Sequence, residues 1–409
     1  MKSEALSHIR ICDFTGQLAG AGATRWMAAF GAEIIRVEDP ARLGKWDVLR
    51  GTSPFVDERR GHEFGGCFNN HNVEKLGITL NLRTDKGKEL LTQLIAECDA
   101  VTENFAAGVL ERLGFGYDRL REIKPDILYV SNCGFGHAGP YRRYKTWGPI
   151  VQACCGLTFT SGLPDMPSAG WGYSYMDHHG GNFMAMAIMA GLIHRSRTGE
   201  GQWIDMSCTD AGATMLGPAV LDYTVNGRPL RRDGMPYSNR SQFPAMAPHG
   251  IYEADGHDAW LALAARDERD WHAIAELMGI DDRRFDDLAG RLAHEDDLDD
   301  AVRAWTSGRD RFEAAAELQA VGVPAAGVAK PADRVDNDPN TEVWGLWPTV
   351  THGEMGRVRV DGIPAHFSET DWVLERGGPL LGQHNRQILV GLLGYSDADL
   401  ADLAAEGVI

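Results

Sequence analysis

The chain has 409 residues, too many for one ordinary small core, so two domains, or one domain with a large insertion, are expected. Its make-up, 44% apolar and 24% charged without a polar low-complexity tract, is that of a folded soluble protein. The net charge of −18 sets the whole-chain field against nucleic acid, yet leaves room for an anionic small molecule in a local basic pocket.

The first half alternates strand and helix. Ile9 to Phe14 reads as a short apolar strand, 19–30 as a helix ending at Gly31, and Ile34 to Val37 as a second strand. Further strands are expected over 77–82, 100–103 and 127–131, with helices over 87–96 and 118–123 between them. Such βαβ repetition predicts an α/β fold, a Rossmann-like large domain with a mainly parallel sheet. A long helix running to His194 precedes one more strand, 203–206, of the same sheet.

After about Asn226 the pattern changes. GRPLRRDGMPYSNRSQFPAMAPHG reads as linker and loops. Strands at 250–253 and 260–264 around Asp255-Gly256, then helices at 268–278, 297–305 and 311–320, form a smaller α+β domain. The expected division is 1–225 for the first part of the large domain and 226–330 for the linker and small domain. Residues 331–409, with a strand near 357–360 and a helix at 385–393, are expected to return to the large domain.

The opening MKSEALSHIRICDF lacks the apolar core of a signal peptide, and no apolar run is long enough to span a bilayer. A cytoplasmic location without membrane partners is expected. The seven cysteines form no CxxC pair, so neither a zinc frame nor a disulfide frame is signalled.

Candidate chemistry gathers at GWGYSYMDHHGGNF, 170–183. His178 and His179 are sequence neighbours and point about 100° apart on a helix, so they do not form a chelating pair, and no metal is expected. Asp177 reads as an N-cap of the helix that Gly180 and Gly181 open. The glycines weaken a helix start, and Trp171, Tyr173 and Tyr175 crowd the carboxylate. A nucleophile supplied with backbone oxyanion donors by Gly180 and Gly181 is the competing reading. At the chain start, Gly20-Ala21-Gly22 lies too far from the strand for a dinucleotide fingerprint, and Arg25 stands where the third glycine belongs. A small-residue turn open to a ligand remains. Lys75 and Arg112 are solvated bases or phosphate ligands.

Together these stretches resemble the class III CoA-transferases, the CaiB/BaiF and formyl-CoA transferase type, over nearly the whole chain. DFTGQLAGAGATRWMAAFGAEIIRVE, EKLGITLNLRTDKGKELL, VTENFAAGVLERLGFGYDRL, SNCGFGHAGPY and MDHHGGNFMAMAIMAGLIHRSRTGEGQWIDMS carry the resemblance. It implies that Asp177 is a covalent nucleophile. It implies coenzyme A contacts at Leu18, Ala19, Lys75, Asn104, Phe105 and Arg112. It implies two interlocked chains, as a homodimer or with a related subunit. Acyl-CoA and a free carboxylic acid are then the partners, coenzyme A thioesters serve as substrates, and no cofactor is permanently bound.

The related 2-methylacyl-CoA racemases carry a His before the segment matching QACCGL. Here that segment follows TWGPIV, with Trp147 near the expected place and His137 in a different motif, which favours transfer. TFTSGLPDMPSAGWGYSYMDH and APHGIY are similar to the arylsuccinate branch, in which succinyl-CoA is donor. Trp147, Trp171, Tyr173 and Tyr175 are accordingly the expected wall of a pocket for an aromatic or bulky acid.

Overall fold

In the computed structural model, residues 5–161, 166–231 and 239–409 are described. The first residues of MKSEALSHIRICDF, the GLPD of the arylsuccinate-like stretch and 232–238 of the linker lie outside them. The chain forms two compact units: Met1–Thr158, Gly170–Leu216 and Pro339–Ile409 in one, Phe159–Ala169 and Gly217–Asp338 in the other. The first unit is thus assembled from three stretches, the last of them the C-terminal segment that returns after the second unit. The expected boundary at 225/226 falls inside the helix Pro218–Asn226, which clusters with the second unit and has no buried residue.

The first unit is built on β1 (Arg10–Phe14), β2 (Glu33–Glu38), β3 (Leu76–Thr79), β4 (Ala100–Glu103), β5 (Leu128–Cys133) and β6 (Trp203–Ser207). They form one sheet in the order β3-β2-β1-β4-β5-β6, every pair parallel. This is the doubly wound order, whose reversal between β1 and β4 opens a ligand crevice at the carboxyl ends of the strands.

Apart from the partly exposed edge strand β6, the strands are buried on both faces because both faces are covered. Adjacent residues point to opposite sides, so Ile11, Ile34 and Val130 join one core while Cys12, Ile35 and Tyr129 join the other. The first core includes Met27 of α1 (Ala19–Ala29) and Met184 and Ile188 of the long helix Tyr175–Thr198. The second includes Leu90, Leu91 and Leu94 of the helix Asp85–Ala96. The C-terminal segment supplies Val350, Val360 and Ile363 to the first core and Ile388, Leu389 and Leu403 to the second.

The second unit holds a three-stranded antiparallel sheet, with His249–Glu253 and Trp260–Ala264 paired and Ala325–Gly327 on the far edge. Its core gathers Leu261, Leu263, Trp271, Ile274, Leu298, Val302 and Leu318 from that sheet and three amphipathic helices. No helix among the described residues is long and apolar enough to cross a membrane.

Candidate active site

The crevice predicted by the strand order is present. A cavity of about 430 Å³ lies over the carboxyl ends of β1, β4 and β5, lined there by Gly16, Asn104, Phe105, Asn132 and Cys133. Asn104 bridges the first two ends: its amide oxygen accepts from the Gly16 N–H at 2.7 Å, and its nitrogen donates to the Gly16 carbonyl at 3.0 Å. That two-way bond fixes the turn after β1 against the turn after β4.

A buried ion network holds the floor. The Arg36 guanidinium donates to Asp47 at 2.7 Å and lies between the Trp46 and Phe68 rings, with Glu38 at 3.5 Å. Asp47 also accepts from the Gln17 N–H at 3.1 Å. Gln17, at φ 55°, lines the cavity beside Trp46. This strained residue is held by a buried ion pair, an arrangement characteristic of ligand-facing turns.

Asp177 lines the same cavity. It is not the N-cap expected from the sequence. The helix starts at Tyr175, with Ser174 at the cap position, so Asp177 lies in the first turn and its N–H donates to the Ser174 carbonyl at 2.9 Å. Burial pushes its carboxyl up to about 6, and a hydrogen bond with Ser174 opposes the shift. The neighbouring helix Gly148–Cys154 begins against this carboxylate. A Cβ at Gly148 would lie 3.0 Å from Asp177 Cγ and Oδ2 and 2.8 Å from Ser174 Cβ. Only glycine leaves the carboxylate its place.

Gly180 and Gly181 are not open oxyanion donors. Both lie beyond the first four helical residues, so their N–H groups fall within the helix ladder. Their bareness serves packing: a Cβ at Gly180 would meet Cys208 Sγ at 2.7 Å, and one at Gly181 the Ala19 carbonyl oxygen at 2.9 Å. The pair lets the long helix approach α1 and the segment that opens at Cys208.

The expected coenzyme A contacts divide. Ala19, Asn104 and Phe105 line the cavity. Leu18 is buried between Gln17 and Ala19 and is not among the lining residues. Lys75 is a correction: its side chain is fully buried, 3.3 Å from Asp13 Oδ2 and 3.1 Å from the Ala21 carbonyl oxygen. Desolvation pulls its amine down to about 8 against the attraction of Asp13. Asp13 in turn accepts from Thr15, Thr24 and Thr102, so this is a satisfied buried pair that ties β1 to its neighbours. Arg112 is exposed, between Val109 of this cavity and Leu113 of a second one.

That second cavity, about 210 Å³, shares Arg42, Trp46 and Phe105 with the first. Its walls are largely apolar, Phe14, Val37, Leu80 and Leu82, with Arg42 and Arg83 as its basic groups and Glu38 and Asp39 as its acidic ones. The first cavity adds Arg142 and Lys145. Sequence reading missed all four bases, because Arg83, Arg142 and Lys145 sit on loops and Arg42 ends a single 3-10 turn, where no periodicity reveals a direction.

The aromatic wall is largely corrected. Trp147 lines the cavity, but Trp171, Tyr173 and Tyr175 are exposed and do not. Tyr173 instead stacks on His178, with its hydroxyl 3.1 Å from Nε2, and Trp171 meets Tyr175 edge-on at 4.8 Å. No histidine lines the cavity among the described residues.

The chain's sequence fits the profile of CoA-transferase family III over residues 6–385. It is 31% identical to the succinyl-CoA–D-citramalate CoA-transferase of Chloroflexus aurantiacus, over 99% of this chain and 98% of that one. It is 32% identical to the succinyl-CoA:mesaconate CoA-transferase of Haloarcula marismortui, over 94% and 96% of the two chains. The crystal structure of a CaiB/BaiF family protein from Brucella suis superposes with a TM-score of 0.86 at 30% identity, covering 96% of this chain and all of that one.

Proposed function

The chain belongs to CoA-transferase family III, and from that premise we propose that it moves coenzyme A from succinyl-CoA to a carboxylic acid through Asp177. The observation that carries this reading is one desolvated carboxylate on the wall of a cavity at the sheet's switch point. Succinyl-CoA as donor rests on the relatives from Chloroflexus and Haloarcula and on a succinate–glutarate CoA-transferase of Agrobacterium fabrum, 31% identical over 95% of this chain and 95% of that one.

The proposed chemistry balances in four displacements. The Asp177 carboxylate attacks the thioester carbonyl, the C–S bond breaks, and a mixed anhydride and CoA thiolate form. The thiolate attacks the Asp177 acyl carbon and releases the donor acid, leaving an aspartyl-CoA thioester. The acceptor carboxylate attacks that thioester and expels the thiolate as a second anhydride forms. Finally the thiolate attacks the acceptor's carbonyl, and the Asp177 carboxylate is regenerated. Gly180 and Gly181 being inside the helix ladder, the backbone that approaches the reacting carboxylate is that of Gly148.

The second cavity, largely apolar, suits the adenosine end of coenzyme A, with Arg83, Arg42 beside Asp39, and the exposed Arg112 nearby as phosphate ligands. Arg142 and Lys145 face the Asp177 cavity and suit the far carboxylate of a dicarboxylic acid. The acids in the relatives' names, citramalate, mesaconate and glutarate, are dicarboxylic. The arylsuccinate reading loses its support in the wall, since three of its four rings lie outside the cavity. A racemase needs a second acid or base facing the substrate, and the lining offers no histidine for it among the described residues.

Transfer from succinyl-CoA to dicarboxylic, monocarboxylic and aromatic acids tests the proposal, with turnover expected for the dicarboxylic set. Absence of transfer to any acid, with exchange of the α-proton of a branched acyl-CoA, would move the reading to the racemase. Two further outcomes are expected. The pH profile of kcat/KM falls on its acid side with an apparent pKa near 6, because only ionised Asp177 attacks; a profile flat down to pH 5 contradicts this. Replacing Arg142 and Lys145 together by Ala raises KM for a dicarboxylic acceptor about 10–100-fold while leaving a monocarboxylic one within about threefold, one charged hydrogen bond being lost.

A further inference from the structure

Beside the Asp177 cavity lies a second convergence of donor atoms that the transfer chemistry does not use. Cys133 is the last residue of β5, His137 follows in the next loop, and Asp205 comes from β6. The parallel pairing of β5 and β6, with Ser131 opposite Asp205, brings the three together from 72 residues apart. Cys133 Sγ lies 3.8 Å from His137 Nδ1, and Nδ1 lies 2.8 Å from Asp205 Oδ1. All three donor atoms fall within 4.8 Å of one another.

We propose that Cys133 Sγ, His137 Nδ1 and the Asp205 carboxylate form a binding site for a soft divalent cation such as Zn²⁺. Tetrahedral zinc, with bonds of about 2.3 Å to sulfur and about 2.0–2.2 Å to nitrogen or oxygen, sets such donors roughly 3.3–3.6 Å apart. The 3.8 Å between Sγ and Nδ1 lies within a few tenths of an ångström of that spacing, while the 2.8 Å hydrogen bond between Nδ1 and Asp205 Oδ1 opens by about 0.5 Å to admit the ion.

Three further features favour an ion over a mere loop anchor. A carboxylate stands behind the ring: Glu111 Oε1 is 3.8 Å from His137 Nε2, where an outer carboxylate orients a metal-bound imidazole. The surroundings are negative, because a carboxylate stands at each ring nitrogen, Asp205 at Nδ1 and Glu111 at Nε2. The thiol lies close to the same ring nitrogen that the carboxylate contacts. The bonds from His137 to Asp205 account for anchoring the loop without any need for that sulfur. On binding, the Cys133 thiol proton leaves to solvent, and the neutral imidazole moves its one ring proton from Nδ1 to Nε2, toward Glu111, which frees the Nδ1 lone pair for the ion.

His137 retains 9% of its side-chain exposure and Asp205 29%, which leaves an entry path. Cys133 also lines the Asp177 cavity, so the ion would sit in its wall. The inference does not depend on Asp177 being the nucleophile.

The test is titration of the chelator-treated full-length protein with Co²⁺ and then Zn²⁺. One equivalent of Co²⁺ is expected to give a thiolate-to-cobalt absorption band that Zn²⁺ displaces. Cys133→Ser should remove the band, and Cys133→Ser and His137→Gln should each weaken Zn²⁺ binding at least tenfold. Cys154→Ser, at the exposed cysteine, should leave both unchanged. Thermal melts of each variant show that the fold is retained. No stoichiometric binding, or a cobalt–thiolate band that survives Cys133→Ser, would overturn the proposal. Should Cys133→Ser not fold, unweakened binding in His137→Gln overturns it equally.

Discussion

Asp177→Asn is expected to lower CoA transfer by at least about 10⁴-fold, the scale on which removal of a covalent nucleophile acts. The amide has nearly the same shape as the carboxylate, so coenzyme A binding should stay within about threefold of the parent. The same substitution is expected to stabilise the protein at neutral pH, for a reason set by the shift itself. The folded carboxyl titrates at about 6, above its ordinary 3.8, because burial disfavours the ionised form. A raised folded value means that the stability present below pH 4 is lost as pH rises from about 4 to 6. At pH 7 that loss is on the order of 1–3 kcal/mol. Asn carries no such penalty. Melting of the unit that holds residue 177 should therefore rise by about 2–6 °C at pH 7, with the gap closing near pH 4. Activity lost together with stability at pH 7 would instead make Asp177 a structural carboxylate.

The second large effect is expected at Gly148. A methyl group there meets the Asp177 carboxyl at 3.0 Å and Ser174 Cβ at 2.8 Å, so one of them must move. Displacing a nucleophile by a fraction of an ångström to one ångström costs up to about 10²-fold in rate, since the reacting geometry is lost before binding is. Gly148→Ala should thus lower kcat about 10–100-fold with KM for the thioester little changed, and Gly148→Val should lower it further. Gly181→Ala should act differently. Its methyl group meets a main-chain oxygen of α1 at 2.9 Å, so the cost falls on packing, about 1–3 kcal/mol of stability, with kcat largely retained in the folded fraction. Equal kinetic losses at both positions would return Gly181 to the chemistry.

What the sequence disclosed follows from the range of the interactions involved. Strands β1 to β5 were legible as short runs buried on both faces, whereas their order, which reverses between β1 and β4 and sets the crevice at Asn104 and Phe105, was not. Asp177 was legible as a carboxylate at a helix start among bulky rings. Lys75 was misread because a lone lysine in sequence looks solvated or ligand-facing; its partner Asp13 lies on another strand, joined only by the fold. The glycine pair was misread because bare backbone serves close packing and oxyanion binding alike, and only the neighbours of a missing Cβ separate the two. Trp171, Tyr173 and Tyr175 precede Asp177 in the chain but pack on one another and on His178. Gly148, which lies against the Asp177 carboxylate, carries no sequence signal.

The central claim is a covalent intermediate on one named side chain. It is tested most directly by incubating the protein with succinyl-CoA, trapping the activated acyl group with hydroxylamine or borohydride, and locating the modification by peptide mass spectrometry. Modification confined to the peptide containing Asp177, and lost in Asp177→Asn, is the predicted result. Continued transfer with no modified carboxylate, or with the modification on another residue, contradicts the account.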